Sequence, residues 1–154
     1  MRKLLDAGRR GKARLDRGGH AVEGGAVTAT HVLLLSVPVS DQDAARDFSV
    51  DVLGLELVRD EPMGPGMRWV QVAPRGAETS LTLVTWFESM PAGSLTGLVL
   101  ETDDLEGDAV RLTELGVPVD GGIQDAPWGR YVQLRDPDGN GLILQASSGR
   151  GRWS

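Results

Sequence analysis

The hydrophobic pattern of this 154-residue chain occurs twice in the same order. In each half, an apolar run precedes a segment with apolar residues at helical spacing, which begins at an aspartate and ends at a glycine (41–54 and 103–116). Shorter segments of alternating polarity follow. They include Arg-Trp-Val-Gln-Val at 68–72 and Arg-Tyr-Val-Gln-Leu at 130–134. A repeat of this kind predicts two copies of one supersecondary unit.

Each copy is predicted to be a β-α-β-β-β module. The first has strands at 31–39, 55–59, 67–73 and 79–86, a helix at 41–54 and a hairpin loop at 61–66. The second has strands at 95–102, 117–119, 129–135 and 141–146, with a helix from Asp103 or Asp104 to Gly116. The fold class is therefore α+β, with two tandem modules at about 30–88 and 95–146 within a domain spanning 28–148.

Alternation along the strands separates two kinds of side chain. One face collects the aliphatic residues, which should pack on the helices: Val70, Val72, Leu81, Leu83, Val132, Leu134, Leu142 and Leu144. The opposite face collects aromatic, amide and hydroxyl side chains. A face of that composition is typical of a ligand-lined cavity or of an interface with another chain.

Composition and charge restrict the partners. Residues 1–27 carry seven basic and three acidic residues, a net charge of +4, whereas the whole chain carries −6, so the remainder carries −10. An acidic body argues against nucleic acid as the main partner. No apolar run is long enough to span a membrane, and the absence of cysteine fits a cytoplasmic location. The glycine-rich basic segment 1–27 and the tail 149–154 are expected to be flexible.

Three stretches resemble the vicinal oxygen chelate superfamily, which includes glyoxalase I, extradiol dioxygenases, fosfomycin-resistance enzymes and bleomycin-resistance proteins. They are Val-Pro-Val-Ser-Asp at 37–41, the stretch 45–54 that ends in Val-Leu-Gly, and Asp-Pro-Asp-Gly-Asn at 136–140. The similarity covers about residues 30–146, with Ser49 standing where members usually have tyrosine. It implies that each module curls its sheet into a cup with the helices outside, that paired cups enclose the site, and that the protein is a homodimer.

Metal-dependent members of that superfamily place a ligand on each of four strands. By the resemblance, those positions fall near Leu34, Thr82, Gly97 and Ile143, none of which offers a histidine or carboxylate. His31 lies three residues before the usual ligand position, which favours a structural or solvent-facing histidine. We therefore expect no metal and no cofactor.

The aromatic residues are the better candidates for a site. We predict a stacking wall for a planar or hydrophobic organic ligand, with polar anchors beside it. The predicted ligand-binding residues are Ser36, Trp69, Gln71, Thr82, Trp86, Trp128, Tyr131 and Gln133. The weak catalytic candidates are Glu101, as a general base, and Tyr131. For Glu101, the competing interpretation is a solvated carboxylate at a strand end.

Three functions stay open at this stage. The first is a metal-independent small-molecule-binding protein similar to bleomycin-resistance proteins. The second is a metal-independent enzyme, a lyase or isomerase of a small-metabolite pathway, with a metal-dependent glyoxalase or dioxygenase less favoured. The third is a cup face that serves only as a dimer interface.

Overall fold

A computed structural model describes residues 25–147, so the predicted tail 149–154 and most of the predicted N-terminal extension lie outside the described residues. The chain divides into two units at Val32 and Leu33. Residues 25–32 of the first unit form no helix or strand. All the helices and strands described below belong to the second unit.

The first module contains β1 (Leu34–Pro38), α1 (Gln42–Asp47), a π-helical turn (Phe48–Val52), β2 (Glu56–Pro62), β3 (Arg68–Ala73) and β4 (Ser80–Val84). The second contains β5 (Leu98–Thr102), α2 (Leu105–Glu114), β6 (Val119–Ala126), β7 (Gly129–Arg135) and β8 (Gly141–Ala146). Both sheets are mixed and have the same order, β1-β4-β3-β2 and β5-β8-β7-β6, with the outer pairs β1–β4 and β5–β8 parallel. The tandem βαβββ prediction is confirmed.

The helix boundaries follow the predicted signals. The carboxylate of Asp41 accepts hydrogen bonds from the backbone N–H groups of Asp43 (2.9 Å) and Ala44 (3.2 Å), and Asp104 caps α2 in the same way. After each helix, Gly54 and Gly116 adopt φ values of 69° and 75°, where a residue without a Cβ is favoured.

The predicted helix 41–54 is wrong in its second half, where the α-helix gives way to a π-helical turn. There the backbone N–H of Leu53 donates to the carbonyl oxygen of Phe48, five residues earlier, at 3.1 Å. Ser49 is buried in this turn, and its hydroxyl donates to the carbonyl oxygen of Ala45 at 2.7 Å. A serine at this position therefore satisfies its own hydroxyl locally, where the superfamily usually has a tyrosine.

Strand lengths differ from the predictions in a consistent way. Strand β1 begins at Leu34 rather than at 31, and β5 begins at Leu98 rather than at 95, although the backbone oxygens of Leu33 and Leu95 still accept hydrogen bonds from Ser80 and Gly141. Strands β2 and β6 are longer than predicted. They continue past a register shift along β3 and β7, so polar edge residues that read as loop are hydrogen-bonded.

The aliphatic face packs on the helices as predicted. Val70, Val72, Leu81 and Leu83 form one core with Ala45 of α1 and Val37 of β1. The corresponding core of the second module contains Leu105 and Leu112 of α2 with four strand residues: Val132, Leu134, Leu142 and Leu144. Leu33 and Leu35 are exceptions, because they are exposed although they share the parity of Val37.

The arginine that begins each repeated pentapeptide has the same structural role in both modules. Arg68 forms ion pairs with Asp43 at the start of α1 and with Asp60 on β2, at 2.8 and 2.7 Å. Arg130 pairs with Glu106 of α2 and, at 3.3 Å, with Asp125 on β6. Each arginine thus ties its helix to the edge strand of its sheet, outside the predicted site.

Candidate functional site

The predicted site residues of the first module lie together on the helix-free face of its sheet. Trp69 and Gln71 project from β3 on the side opposite Val70 and Val72. The rings of Trp69 and Trp86 stack with centroids 6.5 Å apart and an interplanar angle of 26°. The Trp86 ring also lies 6.0 Å from that of Phe87, which is 45% exposed. We call this set of side chains, with Ser36 and Thr82, the first face.

A row of polar residues crosses the middle of the first face. In the sheet register, Ser36 on β1 lies opposite Thr82 on β4, and Thr82 lies opposite Gln71 on β3. Trp69 Nε1 donates a hydrogen bond to Gln71 Oε1 at 3.0 Å. The aromatic pair and the polar row are therefore connected by a hydrogen bond, and they place apolar rings beside polar anchors.

Thr82 is the least ordinary member of that row. Its side chain is buried, with 1% exposure, and its hydroxyl has no hydrogen-bond partner among residues 25–147. Leaving a buried polar group unsatisfied costs about 1–3 kcal/mol, so such a group needs an explanation. The resemblance implied that Thr82 lies near one of the four metal positions, and no local pattern indicated that its hydroxyl would be buried and unpaired.

The second module repeats the aromatic part of the site with different partners. Trp128 lies in the turn between β6 and β7, and its ring stacks on Tyr131 with centroids 4.5 Å apart. The Tyr131 hydroxyl donates to Gln124 Oε1 at 3.0 Å, and Gln145 Nε2 donates to the backbone oxygen of Trp128 at 3.1 Å. Gln124 and Gln145 were missed, because β6 was predicted to end at 119 and Gln145 was not recognised as an anchor for the turn. We call this set, with Gln133, the second face.

Gln133 stands apart from that aromatic pair. It lies opposite Ile143 on β8 and Asp120 on β6, and lines a cavity of about 150 Å³ with Thr96 and Gly97. Its pseudo-equivalent Gln71 is half-buried, whereas Gln133 is exposed. Within the described part of the chain, no hydrogen bond or ring contact joins the first face to the second.

The surroundings of the two catalytic candidates, Glu101 and Tyr131, do not favour a catalytic role. Glu101 is exposed and lines a different cavity, of about 180 Å³, together with Arg75 and Arg111. It therefore lacks the burial that a general base would use, and the interpretation as a solvated carboxylate is the better one. Tyr131 is already engaged with Gln124.

The residues at the superfamily's metal positions do not fit a divalent cation. Two of them are Gly97 and Ile143, and the other two are Leu34 and Thr82. Among residues 25–147, no group of three or more histidine, cysteine or carboxylate side chains is arranged to hold a metal ion. His31 is exposed and precedes β1, with its Nδ1 3.0 Å from the hydroxyl of Thr30, so the strand predicted to begin at 31 does not include it.

The Asp-Pro-Asp-Gly-Asn motif has a role that the sequence did not reveal. Asn140 has 0% exposure, accepts a hydrogen bond from the backbone N–H of Leu95 (3.0 Å), and donates to the backbone oxygen of Pro38 (2.8 Å). Asp138 accepts hydrogen bonds from the backbone N–H and the hydroxyl of Ser40 at 3.1 and 2.5 Å. The β7–β8 turn therefore holds the end of β1 and the intermodule linker, and it forms no part of either face.

The fold and these contacts define a protein of two βαβββ modules with an aromatic pair in each module. A sequence model described as Glyoxalase/Bleomycin resistance protein/Dioxygenase superfamily matches residues 28–144. The chain belongs to this superfamily.

Three individual proteins illustrate what this chain is similar to within the superfamily. The chain is 53% identical to TnmS3, described as an antibiotic binding protein from Streptomyces sp. CB03234, over 80% of this chain and 100% of that one, with a TM-score of 0.75. It is 54% identical to a glyoxalase/bleomycin resistance protein from the same source, over 75% of this chain and 99% of that one, with a TM-score of 0.68. The Bacillus subtilis (strain 168) protein YetH is 36% identical over 72% of this chain and 93% of its own length.

Within residues 25–147, no helix is long and apolar enough to cross a membrane.

Proposed function

We propose that this protein binds a planar or hydrophobic organic molecule without a metal ion, as a sequestering protein rather than as an enzyme. The observation that carries the proposal is the pair of stacked aromatic sets, Trp69–Trp86 and Trp128–Tyr131, each with hydrogen-bonded glutamines beside it. The similarity to a relative described as an antibiotic binding protein supports a drug-like aromatic compound as the ligand.

Metal independence is part of the proposal and rests on residue chemistry. Leu34, Gly97 and Ile143 have no donor atom in their side chains, and Thr82 has only a neutral hydroxyl. A metal site of this superfamily would need at least three good ligands. Elemental analysis of the purified protein should find less than stoichiometric Fe, Mn, Ni and Zn, and one tightly held equivalent would contradict this part of the proposal.

We also infer a homodimer and a cytoplasmic location. Apolar side chains in or near the aromatic sets are exposed in the single chain: Phe87 is 45%, Val99 48% and Trp128 50% exposed. Apolar surface of this kind favours burial by a partner or a ligand. Light scattering after size-exclusion chromatography should give twice the mass of one chain. A mass of one chain at micromolar concentration would contradict the inferred dimer.

The central test is binding to the aromatic sets. A polycyclic aromatic antibiotic should quench the tryptophan fluorescence of the wild type, whereas an aminoglycoside of similar mass should not. Trp69→Ala should weaken the aromatic compound's binding about thirtyfold, because stacking and apolar burial each contribute on the order of 1 kcal/mol.

Val110→Ala is the matched control for that variant. Val110 is 57% exposed on α2, so its truncation removes apolar surface outside both faces. It should leave affinity unchanged. Wild-type affinity in both Trp69→Ala and Trp128→Ala would refute the aromatic site.

A further inference from the structure

The buried hydroxyl of Thr82 indicates what kind of group the first face recognises. It is unpaired within residues 25–147, and it lies in the middle of β4, the strand flanked by β1 and β3. Ser36 and Gln71 lie directly opposite it on those two strands. Between the antiparallel strands β3 and β4, the Cβ atoms of such a pair are about 4.5–5.5 Å apart. The Ser36 hydroxyl also makes no hydrogen bond to a described residue. Three neutral polar groups are thus neighbours on one face.

Trp69 fixes the orientation of the third group. An indole nitrogen can only donate, so the atom of Gln71 that it contacts at 3.0 Å must be the amide oxygen. The amide nitrogen, with its two hydrogens, is left for another partner. Together with the hydroxyl hydrogens of Thr82 and Ser36, the row offers three groups that can donate, while one of the two lone pairs of the Gln71 oxygen is already used by Trp69.

Charge decides which acceptor suits these donors. The row contains no cationic side chain. Arg59, which lies opposite Gln71 on β2, is 59% exposed and is engaged with Glu61 at 3.0 Å. A carboxylate or phosphate placed here would be desolvated without a paired positive charge, which is unfavourable. A carbonyl oxygen accepts two hydrogen bonds and carries no net charge.

Building on the function proposed above, we infer that the first face selects an uncharged aromatic ketone, with its ring against Trp69 and its carbonyl oxygen on the donors of Thr82 and Gln71. The second face lacks the hydroxyl donor for a ligand carbonyl, because Ile143 occupies the register position that Thr82 has in the first face. The Thr82 hydroxyl is closed to solvent in the ligand-free chain, so binding must move the side chains that cover it. A ring placed against Trp69 should also change the environment of its indole.

The test compares 1-indanone with indane, which share a flat bicyclic frame and differ by the carbonyl. Both are titrated into the full-length protein, and the indole N–H resonances are followed by two-dimensional NMR. The wild type should bind 1-indanone at least fivefold more tightly than indane, with shifts at Trp69. Thr82→Val keeps the side-chain volume and removes the hydroxyl, and it should reduce that preference to less than twofold. Thr113→Val, on the exposed side of α2, should retain it.

The outcomes separate this inference from the proposed function. Equal binding of the two compounds by the wild type would refute carbonyl selection while leaving an aromatic site. If neither compound moves the indole resonances, the site and the inference fail together. Thr82→Val should also keep or raise the urea midpoint of unfolding, because it removes an unsatisfied buried hydroxyl. A clearly lowered midpoint would mean that the hydroxyl serves the fold, and would overturn the inference.

Discussion

The middle rows of the two sheets occupy corresponding register positions but differ in polarity. The first sheet has a polar residue at each place and the second only at its last: Ser36, Thr82 and Gln71 against Val99, Ile143 and Gln133. The next row of the second sheet contains Glu101, Gln145 and Tyr131, which are all polar. The repeat kept an aromatic and an amide in each module and changed the residues beside them, so the two faces are not interchangeable as binding surfaces.

The turns between the last two strands differ even more. In the first module, the turn from Pro74 to Thr79 is largely exposed and joins β3 to β4. In the second, the turn of residues 136–140 holds the end of β1 and the linker through Asp138 and Asn140. A connection local in the first module thus became a long-range contact in the second. Stability should depend on these turns very unequally.

Replacement of Asn140 is expected to have the largest effect. Asn140→Ala removes three side-chain hydrogen bonds, to Leu95, Pro38 and Asp136, from a site with 0% exposure, and it takes away the side-chain acceptor of the Leu95 N–H. The free energy of unfolding should fall by about 4 kcal/mol, because each lost hydrogen bond contributes about 0.5–1.5 kcal/mol and a donor left unpaired costs about 1–3 kcal/mol. Urea denaturation measures it.

Glu78→Ala, in the exposed turn of the first module, is the control for that variant. It should change stability by less than about 0.5 kcal/mol. A similar loss in both variants would show that the two turns are equally important and would contradict the difference between the modules.

Much of this fold could be predicted from local patterns, and the intermodule contacts could not. Asp41, Gly54, Asp104 and Gly116 act within one turn of their own position, so the sequence locates them well. Asn140 acts on Pro38, 102 residues away, and no local spacing encodes that distance. The same holds for the site: alternation placed Trp69 and Gln71 on one face. Only the strand register revealed that Thr82 lies between Ser36 and Gln71.

A pair of glycine substitutions tests the linker side of the same contact. Gly76 and Gly93 both have left-handed backbones, with φ of 72° and 83°. A Cβ at Gly76 would meet no atom within 4 Å, whereas one at Gly93 would lie 2.2 Å from the carbonyl oxygen of Asp138. Gly76→Ala should cost about 1–2 kcal/mol from backbone strain alone. Gly93→Ala should cost roughly 3 kcal/mol, because the linker must also move away from the turn. Equal losses in thermal unfolding would mean that the linker is not held against the turn.

The smallest expected effect concerns the ion pairs of the two repeated arginines, and it is measured as the pH dependence of the free energy of unfolding. Hydrogen bonds from Arg68, and then from Arg46, lower the pKa of Asp60 to about 2. A depressed pKa contributes stability above the unfolded value near 4, and this contribution is lost as pH falls from about 4 towards 2. Because the Asp60 side chain is still 22% exposed, we expect about 1 kcal/mol after solvent screening. Asp60→Asn should therefore lower stability at pH 6 and match the wild type near pH 2.

The second module supplies the control for that pH dependence. Arg130 lowers the pKa of Glu106, but this pair is more open, with side chains 49% and 60% exposed. Glu106→Gln should therefore leave the pH profile of unfolding closer to that of the wild type. The expectation would be contradicted if Glu106→Gln reduced the loss of unfolding free energy between pH 4 and pH 2 more than Asp60→Asn does. In that case the helix-to-edge-strand contact of the second module would be the stronger one, although its charges are the more solvated.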